Sequence, residues 1–509
     1  MKMRVVGIEF EVINEMRKIL RQGNREFAKV GLDEVFRALG AGKRTKVVAT
    51  MGPATESTAM LEELIKEGLN VFRLNFSHGD YETQGKMVDL IRKSDKVLRP
   101  YGQPILMDLK GPSVRTGFLE GGKSVTLVKG QRLTLTTDYT FKGNKSKIAC
   151  SYVKLPQSVK AGDTVFVGDG NLNLRVESVE PDQGLVHTIV QNNYTLGERK
   201  NMNLPGNSVD IPTLTEKDKR DIAEFAAPRH IDAISVSFCR TGADVREARR
   251  LLAEKGSKAR VVAKIENHEG LYNLEEILKE VDAIMIARGD LGMEIPPEKV
   301  PVAQLWITQM CRKHRRPVIT ATQMLESMTK NARPTRAEVT DVFFASQQGT
   351  DAVMLSGETS AGEFPLDAVR HMRHAATQGE ALFDHRGQFH LQDVPPSPQE
   401  ALFQAAAAAC IENESQAIVV LSSDPQTARL FSSVRAPAFL LAPHHDDAEL
   451  RFNEFFSGLY GVQVLASDSN AQRITKSLEF ARKLNLIPSA PVSTIVLDCD
   501  AQTLQVKQL

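Results

Sequence analysis

Long apolar runs are missing from this sequence of 509 residues: nowhere do 18 apolar residues follow one another, and the alanine stretch at 405–409 is far too short to cross a bilayer. An excess of charge of one sign is missing too. Lys and Arg number 64 against 63 Asp and Glu, and a net charge of +1 supplies no global field to draw nucleic acid or an anionic membrane. Any anionic partner must be held by a local cluster. Cysteine is scarce, and its five positions (Cys150, Cys239, Cys311, Cys410 and Cys499) are odd in number, scattered and never spaced C-x-x-C. That excludes a disulfide framework and a zinc knuckle and fits a reducing, cytoplasmic compartment. The first twenty residues lack the apolar core of a signal peptide, and Glu9, Glu11 and Glu15 deny them the acid-poor character of a transit peptide, so no targeting is expected.

What is present is an ordinary globular composition, 42% hydrophobic and 25% charged, in a chain long enough for several cores. One rhythm fills residues 41–111 and 213–385: a short apolar run that turns polar, then a helix-period segment, then the next run. The runs begin at residues 46, 71, 105, 233, 261, 283, 317 and 352. Eight strands alternating with helices favour an α/β fold of the (β/α)₈ (TIM) barrel type, with an open doubly wound sheet as the alternative. Helix signals between the runs include LEELIKEG, ending at Gly68, and Thr335-Arg-Ala-Glu338, which has capping-box spacing. The long gap between the third and fourth runs holds alternating stretches with Gly-rich turns, so residues 112–212 are expected to form an inserted all-β lid domain. Residues 386–509, entered through a Pro-rich joint, read as a C-terminal α/β domain with runs AIVVLSS, AFLLAP, VQVLAS and VSTIVLD; residues 1–40 read as a helical arm.

Gly117-Phe-Leu-Glu-Gly-Gly122-Lys123-Ser124 matches the phosphate-binding pattern G-x-x-x-x-G-K-[ST], but an alternating strand pattern follows it where that loop requires a helix. A turn is expected instead.

Chemistry concentrates at the polar ends of the apolar runs. Arg73, Asn75 and Ser77 are two apart, so on an extended chain they share one side while Phe72, Leu74 and Phe76 take the other. Lys264 and Glu266 share a side in an otherwise apolar strand, where each charge is expensive unless something pairs with it. As neighbours along one strand they are expected to be awkwardly placed to pair with each other. Asp108 and Lys110, Arg288-Gly-Asp290, and Thr320-Ala-Thr322 end other runs. Barrel enzymes build their sites from strand C-termini. Two carboxylates from adjacent strands suit Mg²⁺, and cations nearby suit a phosphoryl group in transfer. No nucleophilic cysteine, Ser-His-Asp pattern or H-E-x-x-H is evident.

At these residues the sequence resembles the pyruvate kinase family. KVVATMGPATES, GLNVFRLNFSHGDYE, MDLKGPSVRTG, KNMNLPG, VAKIENHEG, IMIARGDLGMEIPPEKV and TATQMLESMTKNARPTRAEVTDV resemble that family's blocks in order. The resemblance implies transfer of a phosphoryl group from phosphoenolpyruvate to ADP. It implies a Mg²⁺ on Glu266 and Asp290, for which Mn²⁺ substitutes. Catalytic roles fall to Lys264, Thr322 and Arg73, and substrate contacts to these three with Gly289 and Asp290. Nucleotide contacts are implied for Asn75, Phe76, Ser77, His78, Arg115 and Lys200, and a K⁺ site for Asn75, Ser77, Asp108 and the carbonyl of Leu109. A homotetramer with allosteric control is implied as well.

Three departures qualify this. Leu109 stands where many members have Thr, and Ser113 where they have Glu or Lys, which leaves K⁺ dependence open. The segment 421–427 has no cation where bisphosphate-activated members grip an effector, leaving only Ser422, Ser423 and Thr427 for a monophosphate. The alternative enzyme class is a Mg²⁺-dependent phosphoenolpyruvate-type barrel lyase or aldolase; a non-enzymatic metabolite sensor would be expected to lack Lys264, Arg73 or Thr322.

Overall fold

Each of the eight apolar runs supplies one short parallel strand. They are β1 (Lys46–Thr50), β2 (Val71–Asn75), β3 (Ile105–Asp108), β4 (Ala233–Val236), β5 (Arg260–Ile265), β6 (Ala283–Ala287), β7 (Val318–Ala321) and β8 (Ala352–Leu355). In the computed structural model, which describes residues 42–207, 209–385 and 397–509, these strands close into a barrel in chain order. β1 bonds to both β2 and β8, which decides against the open sheet. The helical arm expected over 1–40 lies outside the described residues, as does 386–396. Among the described residues the chain divides into two compact units, one of Lys46–Asp341 with Thr350–Met372 and one of 42–45, Val342–Gly349, 373–385 and 397–509.

The helices between strands form where the sequence signals them. Ser57 accepts from Met60 N–H to start Thr58–Glu67, Leu61, Leu64 and Ile65 bury one face, and Gly68 at φ +118° ends it. Glu338 and Thr335 exchange side-chain bonds with each other's backbone N–H at 2.7 and 3.2 Å, completing the capping box ahead of Arg336–Gln347.

Between β3 and β4 the chain leaves the barrel for the lid, a seven-stranded sheet and a two-stranded ribbon around Leu127, Leu133, Ile148, Leu172 and Leu174. The P-loop look-alike is a single 3₁₀ turn, Glu120–Gly122, followed by the strand Val125–Leu127. Gly121 and Gly122 adopt φ +63° and +68°, and no helix follows to present N–H groups to a phosphate.

One buried carboxylate joins the lid's two crossings. Asp218 Oδ1 accepts from Gly111 N–H at 3.1 Å on the outgoing side, and its Oδ2 accepts from Thr215 N–H at 2.9 Å on the return. Arg240, just past β4, grips the returning chain through the carbonyls of Val209 and Ile211, both at 2.7 Å.

The second unit carries a five-stranded sheet: β9 (Ala417–Leu421), β10 (Phe439–His444), β11 (Leu459–Gln463), β12 (Ser493–Asp498) and β13 (Thr503–Gln508), in the order β11-β10-β9-β12-β13. Two expectations need correction. The run read as VQVLAS begins its strand earlier, at Leu459, and the antiparallel β13 was not foreseen because its polar side chains suit an exposed edge rather than a core. The hydroxyls offered to an effector monophosphate are already engaged: Asp500 accepts from Ser423 N–H at 2.8 Å, Ser423 Oγ at 3.2 Å and Ser422 Oγ at 3.3 Å, while Ser422 Oγ also meets Thr427 Oγ1 at 3.1 Å.

Candidate active site

The C-terminal ends of the barrel strands share one buried polar network. Arg73, on β2, gives Nε and Nη2 to Asp108 Oδ2 at 2.8 and 2.6 Å and Nη1 to Thr50 Oγ1 at 2.7 Å. Thr50 in turn donates to the Leu355 carbonyl at 2.8 Å. The other Asp108 oxygen faces Lys264 Nζ at 3.3 Å. Asp108 is 1% exposed, and its carboxyl is nevertheless held below the usual range: burial would raise it, but Lys264 and Arg73 outweigh burial.

Lys264 reaches Ser237 Oγ and Glu266 Oε1, both at 2.8 Å. The expectation that Lys264 and Glu266 are awkwardly placed to pair is therefore overturned. β5 ends at Ile265, so Glu266 is free of the pleat, and the Phe238 N–H draws its Oε2 to 2.5 Å. Burial opposes the charge on Lys264, yet Asp108 and Glu266 prevail and its pKa is raised, so the ammonium is retained.

Glu266 is fully buried. Its Oε1 is held by the Lys264 ammonium in an ion pair at 2.8 Å rather than in a well-directed hydrogen bond. Burial pushes the Glu266 carboxyl up to about 7, Lys264 resists, and neighbouring Asp290 adds to the rise; Asp290 is itself raised by burial. Two acids raised by burial, one of them also by the other, are an arrangement that a divalent cation would relieve.

Asp290 and Gly289 occupy the first turn of the helix Arg288–Glu294. Gly289 N–H donates to Thr322 Oγ1 at 2.8 Å, and that hydroxyl donates to the Ala321 carbonyl at 2.6 Å. Thr322 holds φ +72°, a left-handed conformation that a β-branched residue seldom adopts and that clusters at functional sites. Arg288 fixes this corner, bonding Asp341 through both guanidinium nitrogens at 2.7 Å and the Thr322 carbonyl at 2.7 Å.

A cavity of about 390 Å³ opens between this network and the lid. Among the residues singled out from sequence, Arg73, Asn75, Ser77, Asp108, Arg115, Lys200, Lys264, Glu266, Asp290 and Thr322 line it. Four do not: Gly289 and Leu109 stand behind the wall, His78 is exposed, and Phe76 is buried edge-on against Phe225 with its N–H on the Asp108 carbonyl and its carbonyl accepting from Lys217. Sequence reasoning missed Ser237, Asp169 and Arg199, which also line the cavity. Lys110, on the same wall, has its pKa lowered by burial and by the cations Arg115, Lys217 and Arg199, against an opposing pull from Asp218.

The comparisons with known proteins agree with this architecture. The family described as pyruvate kinase, barrel domain, matches residues 42–369, and that described as pyruvate kinase, alpha/beta domain, matches 400–497. The chain belongs to the pyruvate kinase family. It is 44% identical over 459 residues to the pyruvate kinase of Eimeria tenella, covering 89% of this chain and 85% of the relative. To the cytosolic pyruvate kinase isozyme of Solanum tuberosum it is 43% identical over 406 residues, covering 78% and 79%. A crystal structure of a pyruvate kinase from Cryptosporidium parvum superposes with a TM-score of 0.89 at 38% identity, covering 94% of this chain and 99% of that one. The chain is thus a phosphotransferase of the pyruvate kinase fold, and a barrel lyase or aldolase is not favoured.

Proposed function

We propose that the cavity transfers the phosphoryl group of phosphoenolpyruvate to ADP, giving pyruvate and ATP, with Glu266 and Asp290 as protein ligands of a divalent cation. The observation that carries this is the Lys264 ammonium, fixed between Asp108 and Glu266 beside Asp290 and facing the lid cations Arg115 and Lys200. The residues fit a hard ion: two carboxyls raised by burial would supply two oxygen ligands and leave the other coordination positions to substrate oxygens and water. Mg²⁺, or Mn²⁺ in its place, would polarise the phosphoryl and carboxylate oxygens of the substrate.

This chain's own groups do the rest. Lys264 places a permanent positive charge beside the phosphoryl group in flight, and Arg73, rigid on Asp108 and Thr50, faces the substrate phosphate. Family resemblance assigns the substrate carboxylate to the backbone around Gly289 and Asp290, where in this structure the Gly289 N–H is bonded to Thr322 Oγ1. Thr322 stands where the enolate carbon gains its proton, its hydroxyl oriented by Gly289 N–H. Arg115 and Lys200 take nucleotide phosphates from the lid side, with Lys110 and Arg199 adding charge.

A K⁺ ion would share oxygens of Asn75, Ser77, Asp108 and Leu109. Ser113, which brings no charge to this neighbourhood, accepts from Arg115 Nε at 3.3 Å. The K⁺ requirement is read from turnover in K⁺-free buffer. A homotetramer is proposed from family resemblance and is checked by sedimentation. A cytoplasmic location rests on the cytosolic naming of plant relatives, and among the described residues no helix is long and apolar enough to cross a membrane.

One unit charge at about 4 Å from another is worth roughly 4 kcal/mol at an effective dielectric of 20, near a thousandfold in rate. In a coupled assay with phosphoenolpyruvate, ADP and Mg²⁺, Lys264→Met should lower kcat by about that order. Activity within about tenfold of wild type would refute the role given to Lys264.

A further inference from the structure

The lid meets the barrel rim at two consecutive residues. Asn203, in the lid strand Asn201–Asn203, donates from Nδ2 to Glu294 Oε1 at 3.3 Å. Gly170, at φ +81° in a lid turn, lies so close to Met293 that a Cβ would come within 2.8 Å of its sulfur. Met293 and Glu294 end the seven-residue helix whose first turn carries Gly289 and Asp290. One short rigid element therefore presents the substrate-side groups at its start and receives the lid at its end.

Below this contact the lid's stems are pinned to the barrel by Asp218 and Arg240. Between the pins and the lid strands lie 112–113 on the way out and, among the described residues, 204–207 on the way back, the latter including Gly206 at φ +74°. A cavity of about 400 Å³ sits beside these stems, walled in part by Asn203, Phe238, Arg240 and Glu294, so packing does not fix the lid's tilt there. The strand bearing Asn203 follows directly on Lys200 and pairs with Val114–Arg115, so Arg115 and Lys200 move with Asn203.

We infer that Glu294 is a positioning residue which, through Asn203, sets the lid and with it Arg115 and Lys200 over the nucleotide half of the site. This deepens the functional reading above and rests on it. Burial holds the Glu294 carboxyl near 7, opposed by the Asn203 hydrogen bond and aided by Asp290, and Asn203, whose Oδ1 is buried without a partner, spends its Nδ2 on this contact. Arg73 and Lys264 belong to the barrel, and the lid's orientation leaves them in place.

The test compares Glu294→Ala, Asn203→Ala, the double variant and Glu294→Gln. A lost hydrogen bond to a carboxylate predicts a rise in KM for ADP of about tenfold in either single variant and no further rise in the double. The KM for phosphoenolpyruvate and kcat at saturating ADP should stay within about twofold of wild type, since the barrel groups are untouched. Glu294→Gln, whose amide oxygen still accepts, should restore the ADP KM. Hydrogen exchange across 204–207 should quicken in Glu294→Ala and not in Glu294→Gln. An unchanged ADP KM with unchanged exchange overturns the proposal, as does an equal rise for both substrates. Equilibrium binding of ADP with Mg²⁺, measured without turnover, keeps the two readings separate. Weakened ADP binding in Glu294→Ala supports the latch even if the wild type fails to use phosphoenolpyruvate, and unweakened binding in an active enzyme sinks the latch alone.

Discussion

The Ser237 hydroxyl lies 2.8 Å from Lys264 Nζ and at the same time donates to the Leu109 carbonyl at 2.8 Å, so its lone pairs are turned toward the ammonium. A neutral hydroxyl thus steers a charge that two carboxylates attract from different sides. Ser237→Ala leaves Lys264 charged but lets it drift toward Asp108 or Glu266. A hydrogen bond to a charged group is worth about 1.5–3 kcal/mol, so kcat should fall roughly ten- to a hundredfold with little change in either KM. Steady-state kinetics decide it, and a Ser237→Ala enzyme of wild-type kcat would show that Asp108 and Glu266 position the lysine unaided.

Thr322 stores strain at φ +72° while its hydroxyl holds Gly289 N–H. Thr322→Ser keeps the hydroxyl and should retain kcat within a few-fold. Thr322→Ala leaves that N–H without its partner and should cost about tenfold in kcat. Equal activity of the two variants would remove the hydroxyl from the mechanism.

Glu294 gives stability a definite pH sign. Its folded pKa of about 7 lies above the ordinary carboxyl value of 4.5, so the native chain binds a proton that the unfolded chain has already lost between those values. Its contribution is fully present below 4.5 and disappears as pH rises through about 7. Thermal unfolding without metal, compared between wild type and Glu294→Gln across this window, should give a Tm slope that is more positive in the variant, because the wild type alone loses this proton-linked contribution. His385, whose pKa burial lowers to about 4, acts with the opposite sign in both chains. A steeper fall in the variant would reverse the assignment.

Asp500 occupies the Ser422 and Ser423 hydroxyls and the Ser423 N–H, placing a carboxylate where a phosphate would need donors. Fructose bisphosphate at micromolar concentrations should therefore produce no saturable activation. Initial rates at subsaturating phosphoenolpyruvate test this, and clear activation would mean that the loop rearranges around its own acid.

The barrel was legible because five of the eight runs carry, near the same end, a polar residue that a core would reject: Arg73, Asp108, Lys264, Asp290 and Thr322 announced one end of the strands. The insert was legible because no crossover needs so long a path. Ser237 was not, since within AISVSF it reads as one more small strand residue and its partner lies 27 positions away. Arg288 and Asp341 each resemble surface charges, and only folding brings them to 2.7 Å across 53 residues. The pairing of Lys264 with Glu266 was misjudged because the pleat was extended one residue too far. Asp169 gave no signal because turn aspartates between glycines are ordinary; its place on the cavity wall is a product of the lid's fold.

The joint made by Asp218 also bears on modularity. Because a single side chain ties the departing strand to the returning one, the hundred or so residues beyond it hang from the cylinder as a closed cassette, and the entropy of bringing their ends together grows only slowly with their number. The β3–β4 crossover is complete at that knot. Lengthening, trimming or exchanging everything past it alters what covers the catalytic mouth while the cylinder keeps its own hydrogen-bond ladder, which makes this junction the natural seam for grafting one enzyme's cover onto another's barrel.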